Sequence, residues 1–365
     1  MLILISGFFG SLLTIFILIR FFHGDHHFEK DRPWIKPQQI HFDPIPRIGG
    51  IGIFIGLCFA CFVALLQSYE NGVLLLIFIA SSIPAIAIGT LEDINQNLGS
   101  LIRLAVVCIG TFIAIYFLHA SITNVDIRFL DGLLALPIIS VLFTCFAITG
   151  LTNAYNLIDG LNGLASMVGI ISLMAIAYVA FKEGDILIVM LTVALIGSIA
   201  GFFAWNYPRG LIFLGDGGAY LIGFCIAVSS ILIINRNPQI SPWFALIINA
   251  YPIFETLFSI WRRQIHQRRS ALVHDHMHLH SVIYRKLLKQ KHKAGGILKP
   301  NEAHLLISRK VSIYLWVFSS APTLSAILWW DLTWVLELSF VIFCLSYYWI
   351  YNYFIKLSKP FFVKN

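Results

Sequence analysis

Long apolar runs separated by short polar segments dominate the sequence. An α-helix of about 20 apolar residues is long enough to cross a hydrocarbon core about 30 Å thick. The pattern therefore predicts an all-α, polytopic integral membrane protein of about eleven transmembrane helices, with residues 1–365 forming a single domain. The runs lie at about 2–22, 49–67, 73–91, 101–118, 133–152, 164–181, 186–204, 219–234, 242–260, 311–329 and 332–355.

The composition agrees with this pattern. Hydrophobic residues make up 58% of the chain and charged residues only 12%, and the mean hydropathy is +0.83. Soluble domains carry about 25% charged residues, so an ordinary soluble enzyme is excluded. The first run resembles a signal peptide, but no basic residue precedes it and no small-residue cleavage site follows it. We therefore expect a retained first helix.

Basic residues are concentrated in alternate connections between the runs. The other connections hold only Arg128, Lys182 and Arg236. Because Lys and Arg are enriched in cytoplasmic loops, the bias predicts an N-terminus outside the cytoplasm and a C-terminus inside it. The predicted cytoplasmic connections, which also carry most of the clustered polar residues, are 23–47, 92–100, 153–163, 206–218 and 262–310.

Three of these connections contain carboxylates, namely Glu92, Asp93, Asp159 and Asp216. Taken alone, the Glu92-Asp93 pair equally fits a solvated helix end, and the glycines around Asp216 fit a simple turn. Together they place four hard oxygen ligands on one membrane face, which favours Mg²⁺, with Mn²⁺ as an alternative, over zinc. Mg²⁺ usually takes one or two carboxylates together with substrate phosphates. The basic residues of the same face would bind those phosphates.

The fifth connection contains alternating histidines at positions 274, 276, 278 and 280. This spacing on a helix points the rings in different directions, so a diphosphate partner is favoured over zinc. We assign the basic residues that follow, from Lys286 to Lys299, to anionic lipid head groups, and we expect no nucleic-acid partner.

In this order, the polar motifs resemble those of the polyprenyl-phosphate N-acetylhexosamine-1-phosphate transferases. This is glycosyltransferase family 4, which includes the undecaprenyl-phosphate GlcNAc-1-phosphate transferases and the phospho-MurNAc-pentapeptide translocase. The resemblance covers about two-thirds of the chain, from His41 to about His280. It rests on His41-x-x-Pro44-x-Pro46-Arg47-x-Gly49-Gly50, Glu92-Asp93, Asn153 to Ala165, Asn206 with Phe213-Leu214-Gly215-Asp216, Pro252-x-x-Glu255-Thr256-Leu257 with Arg262-Arg263, and Asp275-x-x-His278-x-His280.

The chain departs from the family pattern at three positions. Glu92 replaces the first Asp of an Asp-Asp pair, and Glu255 replaces another Asp. Asn162 replaces the second Asp of a D-G-x-D-G motif, where the family is thought to read the nucleotide. The resemblance therefore leaves the geometry at Glu92 and the preference for nucleotide or sugar open.

The resemblance implies that polyprenyl phosphate attacks the β-phosphorus of a UDP-sugar, giving a polyprenyl-diphosphate-sugar and UMP. It implies Asp216 and Asp93 as Mg²⁺ ligands, and Asp93, Glu92 and Asp159 as the acids of the catalytic site. Implied substrate-binding residues are Asn153, Asn156, Asn162, Asn206, Phe213, Arg47, Arg263, Asp275, His278 and His280.

The implied partners are undecaprenyl phosphate, a UDP-sugar and the bilayer, and a homodimer is compatible with the resemblance. The implied location is the bacterial inner membrane with the active site facing the cytoplasm. There the reaction would initiate a cell-surface glycan such as the O-antigen of lipopolysaccharide or a capsule.

Three alternatives stand beside this interpretation. A phosphatidyl-alcohol transferase would need an Arg and downstream acids that Leu164-Ala165-Ser166 and the following residues lack. An ion-coupled transporter would place ionisable groups near the bilayer midplane, where Glu337 is the clearest candidate. Transfer of phospho-MurNAc-pentapeptide is the third, although the Asp275 to His280 signature favours a simple sugar. The sequence does not name that sugar.

Overall fold

The computed structural model describes residues 1–22, 45–266, 277–293 and 300–356. The described residues form α-helices, one π-helical turn (Arg262–His266) and connecting loops, with no strand among them. The α-helices are α1 (Leu2–Phe22), α2 (Gly49–Gln67), α3 (Tyr69–Asn95), α4 (Ser100–Leu118), α5 (Arg128–Leu134), α6 (Pro137–Ile158), α7 (Leu164–Lys182), α8 (Ile186–Asn206), α9 (Gly215–Arg236), α10 (Trp243–Ile248), α11 (Ala250–Trp261), α12 (Leu279–Lys293), α13 (Pro300–Leu328) and α14 (Thr333–Lys356).

Ten helices within the described ranges are long and apolar enough to cross a membrane: α1 to α4, α6 to α9, α13 and α14. The predicted class, an all-α polytopic membrane protein, is confirmed. Ten of the about eleven predicted runs form single continuous helices, and the run at 242–260 is divided into α10 and α11.

The division falls at Asn249, whose backbone leaves the helical conformation (φ −111°, ψ 19°). Pro252 follows in the first turn of α11 and has no N–H to donate. Neighbouring helices satisfy the interrupted polar groups: the Tyr155 hydroxyl donates to Asn249 Oδ1 at 3.1 Å, and Ser172 Oγ donates to the Ile248 carbonyl at 2.7 Å. Such partners make a broken helix tolerable inside a membrane.

Helix α9 lies at the centre of the bundle. It is buried along almost its whole length and contacts α2, α3, α6 and α7. Small residues allow these close approaches. A Cβ atom at Gly223, for example, would lie 2.8 Å from Thr152 Cα on α6. The first turn of this central helix carries Asp216.

Several helices continue into segments that hydropathy assigns to connections. Helix α3 extends to Asn95, so Glu92 and Asp93 lie in its last turns, and α6 carries both Asn153 and Asn156. Pro137 begins α6 instead of interrupting it, in the position where its missing N–H costs nothing. The hydropathy pattern predicts that a helix ends where polar residues begin. The helical backbone hydrogen bonds nevertheless continue through these polar residues.

The two sets of alternate connections lie at opposite ends of the bundle. At the end away from Asp93 and Asp216, Arg236 donates to Asp185 Oδ2 at 2.6 Å, and Thr333 Oγ1 donates to Asp126 Oδ2 at 2.7 Å. Glu337 lies in the second turn of α14, close to this same end. It therefore lies near one end of this helix and not at its middle, where a transporter would place an ionisable group. Which end faces the cytoplasm stays a prediction.

Candidate active site

The loop before α2 pairs with the loop before α9. Phe213 N donates to the Pro46 carbonyl at 3.0 Å, and Gly49 N donates back to the Phe213 carbonyl at 3.0 Å. This pairing brings Arg47, between Pro46 and Gly49, directly to the start of α9. Residues 23–44, which include the His41 and Pro44 of the first motif, lie outside the described residues.

Two glycines allow the end of α3 to approach the first turn of α9. Gly215 has φ +75°, and a Cβ there would lie 2.4 Å from the Arg47 carbonyl oxygen and 2.6 Å from Asp93 Oδ2. A Cβ at Gly217 would lie 2.4 Å from Thr90 Oγ1. Any larger residue at either position would separate α3 from α9.

Asp93 caps the N-terminus of α9 from another helix. Its Oδ1 accepts from Asp216 N and its Oδ2 from Gly217 N, both at 3.0 Å. These are among the amides that have no partner within the helix, and a carboxylate there is further stabilised by the helix dipole. Asp93 therefore fixes the backbone that carries Asp216. Each of its oxygens retains a lone pair that could face a cation.

Arg103, in the first turn of α4, is a site residue that none of the sequence motifs contains. Its Nη1 lies 3.5 Å from Asp216 Oδ2 and 3.7 Å from Glu92 Oε1. Glu92 is buried and its Oε2 also accepts from Leu98 N at 3.0 Å. The longer arm of Glu92, compared with an Asp, thus reaches Arg103 and the α3–α4 loop. The only feature of the sequence that pointed to Arg103 is its position as a basic residue at the start of an apolar run.

Asp159 ends α6 and faces the same group of charges. Burial, together with the negative charges of Asp216 and Asp93, raises the pKa of its carboxyl to about 7, against the opposing charge of Arg47. Four carboxylates, those of Glu92, Asp93, Asp159 and Asp216, thus lie around the two guanidinium groups of Arg47 and Arg103. The site is therefore suited to an added cation.

Asn153 and Asn156 lie three residues apart and therefore on one face of α6. The side chain of Asn156 lies beside the Tyr220 hydroxyl of α9. Both asparagines are partly exposed. Their amides thus lie one or two turns deeper in the bundle than Asp159.

Asn206 and Asn162 shape the loops beside Asp159. Asn206 Oδ1 accepts from Gly163 N at 2.6 Å, and its Nδ2 donates to the Ile212 carbonyl at 2.8 Å, so its amide ties two site loops together. Ser312 Oγ, from α13, donates to the Asn162 carbonyl at 2.9 Å. The Asn162 side chain is buried, and its Nδ2 has no partner within the described part of the chain.

The histidine segment joins the site through Gly160. A Cβ at Gly160 would lie 2.1 Å from His280 Nε2, so the imidazole rests directly against this loop. The His278 and His280 rings are stacked with centroids 5.6 Å apart. Arg263, which is buried in the π-helical turn, donates from Nε to the Ser259 carbonyl at 3.2 Å. Asp275 lies outside the described residues.

The structure thus brings most of the predicted site residues to one end of the bundle. Arg47, Glu92, Asp93, Asp159 and Asp216 surround the first turn of α9, with Phe213 partly buried just before it. Among the described residues, no group of three or more His, Cys, Asp or Glu side chains could enclose a metal ion. A closed site of the zinc type is therefore absent from this part of the chain. An open site completed by phosphate oxygens fits the donors present.

The chain also matches known proteins over this region. The family described as glycosyl transferase family 4 matches residues 74–234. A probable undecaprenyl-phosphate N-acetylglucosaminyl 1-phosphate transferase of Bacillus subtilis (strain 168) is 31% identical over 249 residues, which cover 67% of this chain and 66% of the relative.

Two further relatives extend the comparison. An undecaprenyl-phosphate α-N-acetylglucosaminyl 1-phosphate transferase of Thermotoga maritima is 28% identical, covering 79% of this chain and 81% of the relative. A phospho-N-acetylmuramoyl-pentapeptide-transferase of Streptococcus suis (strain 05ZYH33) is 30% identical, covering 69% of this chain and 77% of the relative. The chain therefore belongs to glycosyl transferase family 4, the family of polyprenyl-phosphate sugar-1-phosphate transferases.

Proposed function

We propose that this protein transfers N-acetylhexosamine-1-phosphate from a UDP-sugar to undecaprenyl phosphate, releasing UMP. The observation that carries the proposal is the arrangement of carboxylates and arginines around the first turn of α9, within a bundle of membrane-spanning helices. Two polyanions must meet there, so the site needs positive charge, and the lipid must reach it from the bilayer. The undecaprenyl-phosphate transferases among the relatives support the same reaction.

Mg²⁺ is the proposed cofactor, with Mn²⁺ as an alternative. Asp216 would be the principal ligand, since its side chain keeps 27% of its accessible surface. Asp93 would support it, although both of its oxygens already accept backbone hydrogen bonds. When bound, the ion would neutralise charge on the phosphates of both substrates. Asp159, with its pKa of about 7, would supply further negative charge to the same cation.

The chemical step joins a lipid phosphate oxygen to the β-phosphorus and breaks the bond from that phosphorus to the bridging oxygen, which leaves with UMP. A phosphate monoester is already largely ionised near pH 7, so the attacking oxygen needs little help from a base. The role we propose for Asp93 and Glu92 is therefore to hold Asp216 and Arg103 in place. Arg47 would attract the phosphates of either substrate.

The remaining predicted residues surround the UDP-sugar in this proposal. Asn153, Asn156 and Asn162 would position the nucleotide, with Phe213 nearby, and Asn206 would act by holding the loop that begins at Gly163. His278, His280 and Arg263 would contact the diphosphate or the sugar.

We further propose that the active site faces the cytoplasm of a bacterial inner membrane, where UDP-sugars are made. The reaction would there initiate a cell-surface glycan, such as O-antigen or capsule.

The test uses purified protein in detergent with undecaprenyl phosphate, and it measures UMP release from a panel of UDP-sugars. We expect release from UDP-N-acetylglucosamine or UDP-N-acetylgalactosamine. Release only from UDP-MurNAc-pentapeptide would instead assign the phospho-MurNAc reaction. No release from any of them would refute the proposal.

Variants connect that activity to the site. Asp216→Asn should slow the exchange of labelled UMP into UDP-sugar by at least about 100-fold. The control is Asp331→Asn, which changes an exposed acid at the opposite end of the bundle and should leave exchange unchanged. Full exchange by folded Asp216→Asn would contradict the assignment of Asp216.

A further inference from the structure

Two tyrosines of α14 contact residues that adjoin His278, Tyr347 through Glu255 and Tyr351 through the Met277 carbonyl. Tyr347 and Tyr351 are one helical turn apart and fully or almost fully buried, and their rings stack with centroids 6.3 Å apart. Helix α14 lies outside both the family match at residues 74–234 and the motifs of the resemblance. No motif therefore gives these tyrosines a role.

Tyr347 acts on His278 through Glu255. The Tyr347 hydroxyl donates to Glu255 Oε2 at 2.6 Å, and His278 Nδ1 lies 3.1 Å from Glu255 Oε1. Glu255 is completely buried, and its carboxylate also accepts from Leu279 N at 3.3 Å. The carboxylate is thus held on one side by α14 and on the other by the first residues of α12.

Tyr351 holds the residue that precedes His278. Its hydroxyl donates to the Met277 carbonyl at 3.1 Å. The Arg262 guanidinium lies over the Tyr351 ring, 5.5 Å from its centroid, and also donates to the Tyr351 hydroxyl. Tyr351 therefore links the end of α11 to the backbone immediately before His278.

These contacts constrain the imidazole of His278. A histidine whose Nδ1–H donates to a carboxylate has a fixed tautomer and ring orientation. Its other nitrogen, Nε2, is then the one available to a diphosphate. A carboxylate able to move would lose this effect, and the Tyr347 hydrogen bond prevents that movement.

We propose that Tyr347 and Tyr351 are positioning residues for the transfer reaction, and that they orient His278 toward the UDP-sugar through Glu255 and the Met277 carbonyl. This inference rests on the proposed function, because it takes the UDP-sugar to be the ligand of His278. It assigns part of the site to the last membrane helix.

The test compares steady-state kinetics of Tyr347→Phe with those of the wild-type protein. The variant keeps the ring and removes only the donor to Glu255. We expect KM for the UDP-sugar to rise about 10-fold, while KM for undecaprenyl phosphate stays unchanged. A purely structural role would instead reduce the active fraction and lower kcat alone. The matched control, Tyr353→Phe, changes an exposed tyrosine of the same helix and should behave as wild type.

A second comparison addresses the route through His278. In a His278→Gln background, Tyr347→Phe should cause no further rise in KM, because the oriented group is absent. Tyr351→Phe gives an independent variant if Tyr347→Phe does not fold, and it should raise the same KM.

The outcomes separate the inference from the proposed function. An active wild-type protein with unchanged KM in both tyrosine variants would overturn the positioning role alone, as would additive effects in the His278→Gln background. A wild-type protein that releases no UMP from any UDP-sugar would overturn both.

Discussion

The carboxylates around the first turn of α9 have unequal surroundings and therefore unequal tasks. Asp93 accepts two backbone hydrogen bonds and is committed to the helix terminus. Glu92 is buried beside Arg103 and the Leu98 amide. Asp216 shares Arg103 but remains partly exposed. Asp159 faces the charges of the others from the end of α6.

The raised pKa of Asp159 predicts that metal binding depends on pH. The Asp159 carboxyl, with its pKa of about 7, is partly protonated near neutral pH. A bound cation favours the ionised form, so binding releases this proton and becomes stronger as pH rises. The affinity for the ion should increase about 10-fold from pH 6 to pH 8 and then level off. Titrating Mn²⁺ into substrate-free protein, with free Mn²⁺ measured by electron paramagnetic resonance, checks this.

Asp159→Asn provides the control for that titration. The amide does not titrate, so its Mn²⁺ affinity should vary less over the same pH range, with the remaining dependence coming from Asp93, whose carboxyl is also buried beside Asp216. An unchanged pH dependence in this variant would show that another group binds the proton.

At the residue scale, the sequence predicted which side chains lie together at the site, but not the contacts that keep them in position. Asp159 and Asp216 are separate motifs whose approach follows from the alternation of helices. The contact of Arg103 with Glu92 and Asp216 depends on how α4 packs beside α3, which no spacing along the chain encodes. The same is true of Tyr347, because hydropathy treats it as one more apolar position.

At the scale of single elements, side-chain to backbone hydrogen bonds connect the loops of the site with one another and with neighbouring helices. Asn206 ties the loop at Gly163 to the loop at Ile212, and α13 covers the first of these loops through Ser312. Such side-chain to backbone bonds are typical where a loop has no secondary structure of its own to satisfy its polar groups. These hydrogen bonds hold the loop that contains Asp159 in a defined shape.

The division between α10 and α11 is a feature that the hydropathy pattern does not predict. A run at 242–260 is apolar enough to predict one helix, and the two short helices do occupy it. The interruption requires a partner for each freed polar group, and those partners, Tyr155 and Ser172, lie on other helices. Hydropathy finds the run but carries no information on its partners.

We expect Asn249→Ala to destabilise the bundle by about 1–2 kcal/mol, because the Tyr155 hydroxyl and the end of α10 both lose a hydrogen-bond partner. The measurement is the shift in thermal unfolding temperature in detergent. In a double-mutant cycle with Tyr155→Phe, the second substitution should add little to the first. Full additivity would contradict a direct Tyr155–Asn249 interaction. Transfer activity at low temperature should persist, since Asn249 lies outside the site.

At the scale of the whole molecule, the two ends of the bundle have different chemistry. One end gathers the carboxylates, arginines and histidines of the candidate site, while the other holds compact pairs such as Arg236 with Asp185. The alternation of basic connections in the sequence already separates these two ends. The packing of the helices explains why the motifs form one site, because α9 contacts α2, α3, α6 and α7.

The orientation of the bundle decides which side of the membrane would supply the UDP-sugar of the proposed reaction. Arg209→Cys places a thiol on an exposed position of the site end, and Lys182→Cys places one on an exposed position of the other end. The six native cysteines lie within α2, α4, α6, α9 and α14 and can be replaced to give a clean background. A membrane-impermeant maleimide applied to spheroplasts should label Lys182→Cys directly, whereas Arg209→Cys should react only after permeabilisation. Because Lys and Arg favour cytoplasmic loops, the reverse labelling pattern would mean that the charge bias misplaces this protein and that its site faces away from the cytoplasm.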